Sequence, residues 1–150
     1  MKPFLLAVMM TLAASAADLG DVKTVYLLPM SGGLDQYLAI RLTTGSILQV
    51  VTDAQKADSI LTDQIGARLE ETLAGLYNEK PDKDKDAVEG FAKPTTQAVT
   101  RGRGTIFLVD RKTRNVIWAA SERPKSSAAE DISRTANRIA DKLARSIKGK

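Results

Sequence analysis

Hydrophobic positions switch between a period of two and a helical period along this chain, and the switches mark its elements. The clearest segment is 104–121, where two β-rich runs, 105–109 and 116–120, flank a polar connection. Asp110, Thr113 and Asn115 in that connection are turn-forming residues, which predicts an antiparallel hairpin. On period-two geometry Ile106 and Leu108 share one face while Phe107 and Val109 share the other. With both faces apolar, the hairpin is expected to lie centrally in a covered sheet.

Upstream, residues 22–29 are rich in β-branched and aromatic side chains and stop at Pro29, as a first strand does. Leu34, Tyr37, Leu38 and Leu42 then recur at helical spacing, predicting an amphipathic helix over 34–43. Gly45 stands where a glycine commonly closes a helix. A second strand follows at 46–52, and the β-α-β order implies a right-handed crossover and a parallel pair. Residues 58–62 could form a brief third strand. Ile65, Leu69, Leu73, Leu76 and Tyr77 trace a second amphipathic helix over 63–77. Its Gly66 and Gly75 each weaken it by up to about 1 kcal/mol relative to alanine, so packing must hold it.

Residues 79–103 alternate charges, carry two prolines and read as a charged, solvated insertion. Beyond the hairpin, Ser127 and Glu130 have the spacing of a capping box that opens a last helix. Ala128, Ile132, Ala136, Ile139, Ala140, Leu143 and Ile147 form its apolar stripe, and Lys142, Arg145, Lys148 and Lys150 complement the dipole at its C-terminal end. Together these elements predict one α/β domain over 18–150. It is a mixed sheet of four or five strands, ordered β-α-β-(β)-α-β-β-α and covered by three helices.

Residues 1–17 alter the picture of where this domain works. Lys2, an apolar run over 4–12 and then small residues have the layout of a secretory signal peptide, with cleavage expected near Ala16 or Ala17. The apolar run falls short of the ~20 residues needed to span a bilayer. A periplasmic or secreted protein is expected, with no transmembrane span or lipid anchor in the mature chain. The formal charge is +4, from 22 basic and 18 acidic residues, and the two signs are interspersed. That balance favours solubility over nucleic-acid binding.

The catalytic inventory is thin. The chain has no histidine and no cysteine, which removes Ser-His-Asp and thiol nucleophiles, histidine-based zinc sites and disulfides. Asp82, Asp84, Asp86 and Glu89 begin like a calcium loop, but Ala87 and Lys93 occupy the positions of its turn glycine and bidentate glutamate. No metal or cofactor is expected. Ser31, Gly32 and Gly33 lie between strand and helix, where anion-binding loops occur, although neither the P-loop nor the dinucleotide fingerprint is present. Arg101 and Arg103 add a basic loop end that could join them in holding a ligand. Trp118 is read as a core residue, and Asp110, Ser127 and Glu130 as turn and capping residues.

The segments 45–53, 56–61 and 108–118, the last reading Leu-Val-Asp-x-x-Thr-x-x-Val-Ile-Trp before a terminal amphipathic helix, resemble small bacterial cell-envelope domains. These are the CsgG and LpoB-like group, the N-terminal domain of TolB and uncharacterised exported families. The resemblance implies an α/β sandwich acting as an accessory or interaction module, with no catalytic residues to carry across. CsgG and LpoB are lipoproteins, and this chain has no cysteine to carry the lipid. The expected function is a non-catalytic periplasmic module that binds an envelope protein. A small-ligand or glycan binder is the alternative, and a carboxylate-dependent hydrolase using Asp58, Asp63 and Asp110 is a more distant one.

Overall fold

A computed structural model describes residues 18–79 and 104–149. They form a five-stranded sheet from β1 (Thr24–Leu27), β2 (Gln49–Val50), β3 (Ser59–Thr62), β4 (Thr105–Asp110) and β5 (Val116–Ser121). The helices are α1 (Leu34–Thr44), α2 (Ala67–Tyr77) and α3 (Ala129–Lys148). Strand order is β2-β1-β3-β4-β5. β1 pairs in parallel with both β2 and β3, whereas β3, β4 and β5 pair antiparallel. The mixed α/β sheet and its three helices match the order read from the sequence.

Each face of the sheet carries its own core. α1 and α3 cover one face, where Leu38, Leu42, Ile106, Leu108, Ile139 and Leu143 meet in a single buried cluster. α2 covers the other, burying Leu69 and Leu73 against Ile60 and Val109. β3 lies between them with all four residues buried. Its polar side chains stay bonded: the Ser59 hydroxyl donates to the Thr24 carbonyl, and Thr62 Oγ1 accepts from the Gln64 amide.

Several boundaries differ from the sequence reading, and three of them have a clear local reason. The second strand shrinks from 46–52 to two residues because Ser46 and Ile47 are used to close α1. Ile47 N–H donates to Leu42 O at 3.0 Å and Ser46 N–H to Thr43 O at 3.1 Å, the bond pair of a Schellman motif. The left-handed residue is therefore Ser46 (φ 49°), while Gly45 is right-handed at φ −83°. Serine in that conformation is strained, so Ser46→Gly is expected to stabilise the fold by about 0.5–1 kcal/mol, read from urea unfolding.

α2 begins at Ala67 rather than at 63. Gly66 has φ 83° and ψ −154°, a backbone open essentially to glycine alone, and it breaks the helical run so that Ile65 is left exposed. At α3 the predicted capping box does not form. The helix starts at Ala129, Ala128 occupies the cap without a side-chain bond, and Ser126 rather than Ser127 organises the start. Ser126 Oγ accepts from Ala128 N–H and donates to Asp131 Oδ2, while Glu130 turns to Arg134.

The hairpin forms as read, but β5 is the outermost strand, so only β4 has the central position expected of both. The register slips between Leu108, paired with Trp118, and Val109, paired with Val116, leaving Ile117 as an extra bulge residue. The bulge lets consecutive side chains, Ile117 and Trp118, both pack against the α1–α3 cluster.

Candidate functional site

The connections that follow the parallel strands β1 and β3 leave on opposite faces, toward α1 and α2. Open α/β sheets hold ligands at such a divide. Ser31, Gly32 and Gly33 sit there in a tight turn, with φ near +70° at both glycines. Carboxylates already occupy two amides of this region. Met30 N–H donates to Asp35 Oδ1 at 3.0 Å and Ser31 N–H to Asp63 Oδ2 at 3.0 Å. Asp63 is buried, and its Oδ1 has no hydrogen-bond partner. The turn thus presents bound acid where an anion would need free donors. Arg101 and Arg103, and the acidic run at 82–89, lie outside the described residues.

The three aspartates considered for hydrolysis do not converge. Asp58 and Asp110 flank one end of the β3–β4 pair, and Asp63 lies at the other end of β3. Each also holds backbone. Asp58 Oδ2 accepts from the Lys23 and Thr24 amides at 3.2 and 3.0 Å, and Asp110 Oδ2 from the Lys112 and Thr113 amides at 3.1 and 2.7 Å. Among the described residues no group of three or more acidic side chains is placed to hold a metal.

Desolvation acts to raise the Asp58 pKa and is the largest single influence. The Thr24 amide and hydroxyl, the Lys23 amide and the Lys23 charge together outweigh it and hold the carboxyl below its ordinary 3.8. A depressed folded-state pKa gives stability that is complete above the unfolded value and fades as pH falls through the folded one. Asp58→Asn should therefore flatten the loss of thermal stability between about pH 5 and pH 3. Parallel melting-temperature profiles for the two proteins would contradict this.

Next to the hairpin turn, Arg111 and Arg114 both lie over the Tyr77 ring, at 4.7 and 5.2 Å from its centroid. Tyr77 donates its hydroxyl to Ala54 O, and Arg114 pairs with Glu79 at 2.8 Å. Burial raises the Tyr77 pKa against the opposing charges of the two arginines. These contacts clamp the turn onto the end of α2.

The outer border of the same hairpin is open. Among the described residues nothing pairs with the outer side of β5. Its sequence, Val-Ile-Trp-Ala-Ala-Ser, has no charge and no proline, the usual devices that keep an edge from pairing. Glu122 N–H donates to Gly104 O, so by antiparallel alternation Ala120 and Trp118 face their backbone groups toward β4. Those of Ala119 and Ser121 point outward.

Between this edge and α3 runs a groove of about 280 Å³ lined by Trp118, Ala119, Ala120, Lys142, Arg145 and Ser146. Trp118 is half-buried rather than enclosed. Its ring packs on the core and its indole N–H donates to Ser146 Oγ at 3.1 Å. Lys142 bonds to Glu122, whose second oxygen lies 3.9 Å from Arg138 Nε. The Lys142 hydrogen bond is the main cause that holds the Glu122 carboxyl below its ordinary 4.5; desolvation opposes it, and the Lys142 and Arg138 charges add to it. Arg145 donates to the Asp141 carbonyl and, among the described residues, makes no ion pair. In the sequence Lys142 and Arg145 carry the signal of a helix dipole alone; their spacing with Ser146, on the flank of a helix that follows an uncharged strand, is what marks the groove.

The described residues define a mixed five-stranded α/β sandwich whose longer edge strand, β5, is uncharged and open, with a basic groove beside it. The chain matches no family model, no curated protein sequence and no solved structure. Among the described residues no helix is long and apolar enough to cross a membrane.

Proposed function

We propose that this chain is a non-catalytic, exported binding module of the cell envelope that docks a protein partner along the open edge of β5. One observation carries the reading: a six-residue uncharged strand whose Ala119 and Ser121 backbone groups point outward beside a groove walled by Trp118. Edge strands of this kind add partners by backbone hydrogen bonding, with specificity supplied by alternate side chains. The export-type residues 1–17 and the likeness of the hairpin to envelope domains support the compartment, and the thin catalytic inventory supports a binding role.

In-cell photo-crosslinking tests it. A photoreactive residue at Ala119 is expected to give a discrete adduct with another envelope protein, whereas one at exposed Ile40 on α1 gives none. Identical patterns from the two positions, or none from either, would refute edge docking.

A further inference from the structure

We infer that the β5 edge takes an extended, acidic segment of its partner, with Asp or Glu at alternate positions facing α3. The inference rests on the edge-docking reading and adds the partner's chemistry. A strand laid beside β5 places every second side chain on the face that Trp118 and Ala120 share, which is the face of the groove. Ala120, the short side chain on that face, leaves room at the edge, so those side chains lie over Lys142 and Arg145. Lys142 already shares its charge with Glu122, and Arg145 has no acidic side chain opposite it among the described residues. A planar guanidinium in that position suits a carboxylate, which it can hold through two parallel hydrogen bonds.

The same charges argue against a second copy of this chain as the occupant. Pairing β5 with its own counterpart about a two-fold axis puts both α3 helices on one face of the joined sheet, with Lys142 and Arg145 of each facing the other set. Like charges so juxtaposed oppose association.

The test uses the purified chain and three hexapeptide probes: alternating Asp-Val, alternating Lys-Val and alternating Ser-Val, each capped at both ends. Titration by fluorescence of Trp118, the sole tryptophan, reports occupancy of the groove directly. The Asp-Val peptide is expected to bind at least roughly tenfold more tightly than either of the others, and less tightly as salt rises. Arg145→Glu should weaken it by roughly tenfold or more. Ala119→Pro deletes an outward N–H that takes no part in the β4 ladder, so it should abolish binding while far-UV circular dichroism stays unchanged. If that variant misfolds, Arg145→Glu, on an exposed helix position, still decides the matter.

Equal binding of all three probes would overturn the acidic preference and leave edge docking standing. No binding of any probe, alongside a positive crosslink from Ala119, would do the same. Concentration-dependent dimerisation abolished by Ala119→Pro would replace the acidic segment with a second copy.

Discussion

Gly104→Ala is expected to cost about 3 kcal/mol or more and to lower the melting temperature by about 10 °C or more. Gly104 opens β4 at φ +87°, and a Cβ there would stand 1.8 Å from Glu122 O, 2.6 Å from Glu122 C and 3.0 Å from Arg123 Cα. All three obstacles are backbone, which cannot swing aside as a side chain can. The adjoining Glu122 N–H to Gly104 O bond, at 2.7 Å, is what ties the start of β4 to the end of β5. Relief of the clash must therefore open the hairpin at that end, loosening the groove's Glu122–Lys142 pair with it. A variant melting within about 2 °C of the parent would show that the junction relaxes far more easily than its geometry implies.

Ile139→Ala should cost about 2–5 kcal/mol, the range for truncating a fully buried aliphatic side chain that leaves a cavity. Ile139 is 0% exposed at the middle of α3, in the cluster that joins that helix to α1 and to the sheet through Leu38 and Leu108. The matched control is Ile40→Ala on α1. Ile40 is 61% exposed, so its loss should stay within about 0.5 kcal/mol. Urea unfolding of both variants checks the contrast, and similar costs would mean that the core is misassigned. Because α3 also forms one wall of the groove, the Ile139 variant should lose Trp118–Ser146 contact before it loses the sheet.

The elements that could be read from the sequence were those whose signal is local and repeated. The stripe from Ile132 to Leu143 admits no other face for α3, and the Val-Ile-Trp run after Asp110, Thr113 and Asn115 admits little besides a hairpin. What escaped depended on distant partners or on a single backbone angle. Whether a strand is central or outermost is decided by which strands pair, and nothing within Val116–Ser121 states that β3 pairs with β4 and leaves β5 outside. The Ser31 amide looks free in sequence, yet its acceptor, Asp63, comes from the end of another strand. α1 ends one residue later because Ser46 takes a conformation that glycine takes more readily, and in place of the capping box Ser126 bonds Ala128 N–H and Asp131.

The same limit applied to the candidate site. Lys142 and Arg145 read as ordinary cations closing a helix, and they come to line a groove only because α3 packs alongside the uncharged β5 edge. Trp118 read as core, and half of it is: the ring rests on the α1–α3 cluster while the indole N–H and one edge belong to the groove.

Everything proposed for the β5 edge requires that another protein occupy it where this chain works. Hydrogen exchange at the Ala119 and Ser121 amides, compared between purified protein and the same protein in its envelope fraction, addresses it most directly. Fast exchange in isolation, slowed at least roughly tenfold in the envelope fraction while the exposed amides of the 111–115 turn are unchanged, is the predicted result. Equal rates at Ala119 and Ser121 in both settings would mean that the edge stays empty, and the binding role assigned to it would be wrong.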